Sequence, residues 1–345
     1  MNPIDLRSDT VTRPTQAMRK AMAEAAVGDD YYGEDETVNR LQETAARMLG
    51  FEAALFVASG TMGNEIAIRI LTEPGQEVLC EARTHVVEYE LAGMAVLSGV
   101  APHTVRTEDG RLTADHVRRA LKPRALNRPE IRLVVLENTH NLGGGLVTTV
   151  EETRGLIAAC REAGLHVHID GARLWNAAVA LGVPPATLAA GADTLMVDLS
   201  KGLCCPVGAL LLGSGERMAR ARRVRQQLGG GMRQAGVIAA PGLVALETMI
   251  PRLAEDHANA ALLGEALARC PGARVAPVRT NLVVATVAGR TTPEMVAALK
   301  GHGVLAGAMD AATLRLVTHH DVTREDCERA ASVLTEALGS RHARA

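Results

Sequence analysis

The chain predicts an α/β protein: a large, mainly parallel sheet with helices on both faces, then a smaller C-terminal α+β domain. Three observations carry this. Short apolar runs at 54–58, 77–80, 132–137, 165–169 and 194–199 alternate with amphipathic stretches. The runs are almost continuously apolar, as strands covered on both faces are. Beyond Pro251 the rhythm changes to helix, strand, helix, strand, helix.

In chain order, residues 1–13 read as an extended arm before a helix that starts near Pro14. Residues 14–250 make the large domain, in which 150–163 is an amphipathic helix closed by Gly164, a residue suited to the left-handed position after a helix. A second apolar run, 207–213, follows 194–199 at once. Residues 251–345 make the small domain, with helix 253–269, strand 281–287, helix 293–302, strand 313–317 and helix 323–338. Thr292 can cap a helix whose first position is Pro293, and Thr323 with Asp326 resembles a capping box. Repeats, low-complexity tracts and flexible linkers are not evident.

Composition excludes several functions. The 345 residues suffice for about two domains, and a net charge of −2 leaves no footprint for nucleic acid or an anionic membrane. Aromatic content of 2% argues against base-stacking platforms. No apolar run is expected to reach the ~20 residues of a membrane span, and the first residues lack a basic-then-apolar leader. The six cysteines show no CxxC spacing, so no metal is expected; they read as reduced thiols in the core of a cytoplasmic protein.

The residues that carry chemistry fall at the predicted carboxyl ends of strands, where parallel sheets bind ligands. Lys201 sits between two apolar runs. Desolvation there lowers an amine's pKa and frees the lone pair that forms a Schiff base. Ser59-Gly60-Thr61-Met62-Gly63-Asn64 follows one strand and opens a helix, whose first N–H groups and hydroxyls suit a phosphate. Asp170 ends another strand, and Arg173 lies three residues on. Each has a plainer alternative: a solvated lysine, an ordinary strand–helix turn, a helix N-cap. In this order on one sheet edge, they supply what pyridoxal 5′-phosphate requires: a phosphate cup, a carboxylate on the pyridine nitrogen and a lysine for the aldimine.

Longer segments strengthen this. They are Asp5-Leu6-Arg7-Ser8-Asp9-Thr10, Tyr32-Gly33-Glu34-Asp35, the Ser59–Asn64 turn, Glu137-Asn138-Thr139-His140-Asn141, Asp170-Gly171-Ala172-Arg173, Ser200-Lys201-Gly202-Leu203, Gly229-Gly230-Gly231-Met232-Arg233-Gln234 and Arg315-Leu316-Val317-Thr318-His319. With them the chain resembles the low-specificity L-threonine aldolases (L-allo-threonine aldolases), within the aspartate-aminotransferase-like, fold type I group. The resemblance implies retro-aldol cleavage of L-threonine, L-allo-threonine and related β-hydroxy-α-amino acids to glycine and an aldehyde. It implies Lys201 as the aldimine lysine, Asp170 on the pyridine nitrogen, Ser59, Gly60 and Thr61 on the phosphate, and His85 stacked on the ring. His85 is also the first choice for the base that takes the hydroxyl proton, with Glu90 second. Ser8, Tyr32, Arg173 and Arg315 are implied on the substrate, the arginines as carboxylate clamps. Arg233 is implied to reach a neighbouring subunit's phosphate, in a homo-oligomer expected to be a tetramer built as a dimer of dimers.

One departure matters. Relatives carry a histidine near the β-hydroxyl where this chain has Asn127, which cannot act as a base. Smaller departures are Tyr31 before Tyr32, Leu142 in a usually more polar turn, and Cys204-Cys205 after the lysine, read as space-filling. The alternatives are a 3-hydroxyaspartate aldolase, with Arg124 or Arg128 as the extra cation, a β-eliminating lyase on the same scaffold, and a non-catalytic cofactor-binding protein.

Overall fold

The computed structural model describes residues 3–123 and 125–339. Its strands in chain order are β1 Ile4–Leu6, β2 Ala53–Val57, β3 Glu77–Glu81, β4 Ala101–Val105, β5 Ile131–Glu137, β6 His166–Gly171, β7 Thr194–Asp198, β8 Ala209–Gly213, β9 Ala273–Val275, β10 Leu282–Val287, β11 Val304–Ala308 and β12 Thr313–Val317. The chain divides into two compact units: Pro14–Ile250, and the residues up to Arg13 joined by those from Pro251 onward.

The larger unit holds a seven-stranded sheet of order β2-β8-β7-β6-β5-β3-β4. From β7 to β4 the pairing is parallel. β8 is antiparallel to both of its neighbours, β2 and β7. The apolar run after Lys201 is therefore a reversed strand lying beside the one that leads into the lysine. β7 and β8 are buried at every position, because both faces are covered. Leu55, Val57, Val78, Cys80, Leu133, Val135, Met196, Ala209 and Leu211 pack with helices Gly60–Leu71, Gly93–Ser98 and Gly215–Gln227. Their strand neighbours Phe56, Leu79, Val134, Val197 and Leu210 are buried too. Since side chains alternate across a sheet, these point to the other face, where helices Glu36–Leu49 and Val150–Glu162 lie against β2 and β6.

Local rules explain the helix ends. Thr149 and Glu152 form a reciprocal capping box, and Gly164 takes φ 69° after the helix. Thr323 and Asp326 do likewise: each backbone N–H donates to the other's side chain at 3.1 Å. The other small-unit cap is corrected by one residue. Thr291, not Thr292, caps Thr292–Gly301, with Glu294 closing the box and Pro293 in the first turn. The helix expected at 253–269 is the end of a longer one, Gly236–Ala268. Its 33 residues include an 18-residue window of mean hydropathy 1.4, so by length and composition it could cross a membrane. That corrects the expectation that no such run exists. Its apolar residues, however, serve as core: Ala239, Ala245 and Leu246 are buried in the larger unit, and Leu263 and Leu267 in the smaller.

The smaller unit has a five-stranded sheet of order β1-β11-β12-β10-β9. Residues 3–13, expected as part of an extended arm, belong to this unit. β1 pairs in parallel with β11, Ile4 opposite Val304, and sends Ile4 and Leu6 into the core beside Leu263, Leu314 and Leu334. Two inward side chains on a three-residue strand are too faint a pattern to read in advance.

Candidate active site

β5, β6 and β7 end side by side with a carboxylate each: Glu137 lies opposite Asp170, and Asp198 closes β7. This is the carboxyl edge of the parallel sheet. The chain leaves β6 through Gly171, where a Cβ would lie 2.6 Å from the Met196 carbonyl oxygen, so only glycine fits.

Asp170 is buried. Its Oδ1 accepts from the Ala172 N–H at 3.1 Å and its Oδ2 from Asn64 Nδ2 at 2.9 Å. It is not a helix N-cap: the following helix, Leu174–Leu181, is preceded by Arg173 and has no side-chain cap. Asn64 Nδ2 also donates to Glu90 Oε1 at 2.8 Å. With its nitrogen committed to two carboxylates, Asn64 has only Oδ1 to offer His168 Nε2, 3.0 Å away. His168 therefore carries its proton on Nε2, and Nδ1 accepts from Thr194 Oγ1 at 2.8 Å. Burial pushes the His168 imidazole down to about 4, which keeps the ring neutral.

That depression has a measurable consequence. Above the ordinary value of 6.5, folded and unfolded chains both hold His168 neutral. As pH falls below it, the unfolded chain binds a proton and the folded one does not until about 4. Stability tied to His168 is thus complete above 6.5 and lost on acidification through this window. Between pH 7 and pH 5 the loss is about 2 kcal/mol. Urea midpoints at the two pH values should differ less in His168→Asn than in the wild type. Equal pH dependence would mean that His168 is not held neutral.

His85 opens the short helix His85–Glu88. Glu137, buried beneath it, accepts from Thr84 Oγ1 at 2.9 Å, the His85 N–H at 2.8 Å and the Asn141 N–H at 2.7 Å. Burial works to raise the Glu137 pKa, but the charge of His140 and these N–H donors outweigh it and hold it below the usual range. His85 Nδ1 lies 2.7 Å from Glu90 Oε1, and its ring centroid 5.4 Å from that of Tyr89. Burial opposes charge on His85; the Glu90 hydrogen bond and the nearby Asp170 reverse the balance and raise its pKa.

Lys201 Nζ is 3.1 Å from Asp198 Oδ2, and Asp198 Oδ1 accepts from the N–H and hydroxyl of Ser200 at 2.7 and 2.8 Å. Its side chain is 16% exposed, so it is not a solvated surface cation. The loop returns to β8 through Gly208 at φ 105°, where a Cβ would meet the Phe56 ring at 2.4 Å. Cys204 and Cys205 are buried and fill space, and burial drives the Cys205 thiol pKa upward. Ser59 caps helix Gly60–Leu71, its hydroxyl accepting from the Met62 N–H at 3.2 Å. Ser59, Gly60, Thr61, His85, Asp170 and Lys201 line one cavity of about 180 Å³.

This donor set fits pyridoxal phosphate. Helix N–H groups beside Ser59 and Thr61 suit the phosphate, Asp170 a ring N–H, His85 a ring face and Lys201 the aldehyde. A side chain at Gly60 would crowd Asp198 Oδ2 at 3.2 Å.

Other expected residues stand elsewhere. Arg173 is buried beside the cavity rather than lining it, with Nη1 donating to Asn141 Oδ1 at 3.5 Å. Tyr32 is 71% exposed and does not line the cavity. Arg233 is also exposed; it pairs with Asp29 Oδ2 at 3.5 Å and covers the Tyr31 ring at 5.0 Å. Ser8 and Arg315 belong to the smaller unit, where Ser8 Oγ accepts from the Thr10 N–H at 3.2 Å and Arg315 Nη2 donates to the Arg7 carbonyl at 3.2 Å. Asn127 stands away from this chain's own cavity. It is exposed in the loop entering β5 at its amino end, and a strand of this length spans roughly 20 Å, so it does not reach its own chain's cavity. Arg128 lines a cleft at that same end with Glu77 and His103, away from its own chain's cavity; Arg124 lies outside the described residues.

Asn64, Glu137 and His168 carry the site without a role having been read for them. His168 had left a signal: it lies two residues before Asp170 on one strand, hence on the same face.

A lysine just past one strand, a carboxylate at the end of the next and a helix N-terminus over the same cavity define the class: fold type I enzymes that hold pyridoxal phosphate on a lysine. The comparisons narrow this. The beta-eliminating lyase family profile matches residues 5–290. Low-specificity L-threonine aldolase 1 of Arabidopsis thaliana is 43% identical over 98% of this chain and 97% of that protein. The low specificity L-threonine aldolase of Escherichia coli O157:H7 is 42% identical over 95% and 97%. A solved threonine aldolase from Leishmania major, 22% identical, superposes with a TM-score of 0.85 over 97% of this chain and all of that one, which shows the shared fold. The chain belongs to the low-specificity L-threonine aldolase family of beta-eliminating lyases.

Proposed function

We propose that this protein cleaves L-threonine, L-allo-threonine and related β-hydroxy-α-amino acids to glycine and an aldehyde, with pyridoxal phosphate as its cofactor. When bound, the cofactor supplies the electron sink that makes breaking the Cα–Cβ bond possible. The observation that carries the reading is the His85–Glu90 contact of 2.7 Å. Glu90 takes Nδ1, so Nε2 remains as the acceptor for the substrate's hydroxyl proton, on a ring that lines the same cavity as Lys201 and Asp170.

The chain's other residues position the reactants. Asp198 holds Lys201 Nζ within the cavity, and Asp170, set by Asn64 and Ala172, would hold the proton on the cofactor's ring nitrogen. The N-terminus of Gly60–Leu71 would hold the phosphate. Arg173 is proposed for the substrate carboxylate; the roles of Ser8, Tyr32 and Arg315 rest on family likeness alone. A homotetramer is proposed as well, supported by the exposed Tyr31, Tyr32, Leu91 and Val96 and by Arg233, which does not line its own cavity. Light scattering that gives a monomer would sink that part. A cytoplasmic location is supported by six free, buried cysteines, and finding the native protein in an exported fraction would refute it.

The function is tested by aldehyde release from threonine, allo-threonine, phenylserine and 3-hydroxyaspartate. Cleavage of the first two is expected, and no aldehyde from any of them overturns the reading. His85→Asn should lower kcat on the order of 10²-fold or more while leaving cofactor uptake, read by visible absorbance, intact. Unchanged kcat would exclude His85 as the base.

A further inference from the structure

Beside His85, and outside the lining of the cofactor cavity, two buried glutamates, Glu65 and Glu90, act on each other. Glu65 follows Asn64 on helix Gly60–Leu71, and Glu90 follows the short helix of His85. They are 3% and 5% exposed. Both oxygens of Glu65 and Oε2 of Glu90 are buried without a hydrogen-bond donor. Glu90 Oε1, by contrast, faces Asn64 Nδ2 at 2.8 Å and His85 Nδ1 at 2.7 Å.

Two ionised carboxylates in buried contact repel each other, and one of them takes up a proton. The donors decide which. Glu90 has two, which favour its anion; Glu65 has none. Burial and the charge of Glu90 both act on Glu65, raising it to about 8. The other charged groups bear on the pair from their own elements: His85 favours a charged Glu90, Asp170 at the end of β6 opposes it, and Glu137 on β5 acts through His85. The chain makes room for this contact at Gly93, where a Cβ would lie 2.2 Å from Glu65 Oε1.

We propose that Glu65 supplies the hydrogen that Glu90 Oε2 lacks: the two carboxyls share one proton, and the pair positions His85 Nδ1. Glu65 is thus a positioning residue acting through Glu90. The proton resides on Glu65 and its O–H donates to Glu90 Oε2, so all of the charge of Glu90 is presented to His85 and Asn64. The kinetic consequence rests on His85 being the base proposed above; the protonation itself does not.

The substitutions separate these statements. Gln at position 65 keeps a neutral donor of the same shape. Leu leaves Glu90 Oε2 bare, so Glu90 takes the proton and His85 loses a charged partner. In the holoenzyme at pH 7, the infrared difference between wild type and Glu65→Gln should contain the carbonyl stretch of a protonated carboxyl. Its absence overturns the proposal. In the pH profile of kcat/KM, Glu65→Gln should stay within about twofold of wild type with the same acid limb, and Glu65→Leu should move that limb down by about one unit. Identical profiles for Gln and Leu would also overturn the positioning role. If the infrared band is present but threonine is not cleaved, the shared proton stands and the proposed reaction falls.

Discussion

Lys201→Ala is expected to yield a folded protein that forms no glycine from threonine and shows no visible absorbance band after pyridoxal phosphate is added. The structure separates the lysine's chemical role from its structural one. Removing the side chain takes one partner, 3.1 Å away, from Asp198 Oδ2. Asp198 Oδ1 keeps both of its bonds from Ser200, and the loop keeps the Cys204 N–H to Lys201 carbonyl bond at 2.9 Å, which belongs to the backbone. The stability cost is therefore modest, about 1–3 kcal/mol for an under-satisfied buried carboxylate. Lys201→Arg is the control. It restores a cation to Asp198, so stability should return, but a guanidinium stays protonated and cannot act as the nucleophile. Glycine formation by Lys201→Ala above a trace would show that another group anchors the cofactor. Activity recovered in Lys201→Arg would show that charge, not covalent capture, is what matters.

The parts of this site that announce themselves in the sequence are those at punctuation points. Lys201, Asp170 and Ser59 each follow an apolar run, so their place at a strand end can be read from the pattern. The direction of a strand cannot, because alternation is the same either way; β8 is legible as a strand and illegible as antiparallel. β4 escapes notice for another reason. It carries Pro102, and most of its side chains are exposed, so it has neither the apolar run nor the propensity of a strand. The polar layer under the site is the least legible part. Asn64 and Glu65 look like the polar face of an amphipathic helix, yet they are 0% and 3% exposed. Only the tertiary partners Asp170, His168 and Glu90 explain two polar side chains at buried positions. Asn127 is illegible in another sense. Its family likeness concerns order along the chain, whereas the fold sets it at the amino end of β5, the edge opposite the cavity.

Asp170→Asn should lower kcat for threonine on the order of 10³-fold with little change in folding, and the reason extends beyond the lost charge. An amide at position 170 can still accept the Ala172 N–H through its oxygen. Its NH₂ then faces Asn64 Nδ2, two donors at 2.9 Å. The clash is relieved if Asn64 flips, presenting Oδ1 to the new amide and Nδ2 to His168 Nε2. His168 must then move its proton from Nε2 to Nδ1 and donate to Thr194 Oγ1, which it can do because it is neutral and the hydroxyl both donates and accepts. The whole chain reverses without a buried group being left bare, except at one point: Glu90 Oε1 loses the Asn64 donor at 2.8 Å. One substitution thus removes the carboxylate that keeps a ring nitrogen protonated and weakens the residue that orients His85. Nitrogen-15 NMR of the histidine rings should show His168 as the Nδ1–H tautomer in the variant and Nε2–H in the wild type. If the tautomer does not change, the hydrogen-bond chain has been assigned in the wrong direction. If kcat stays within about tenfold, which is smaller than the usual cost of losing a preorganised charge at a reacting centre, Asp170 is not the partner of the ring nitrogen.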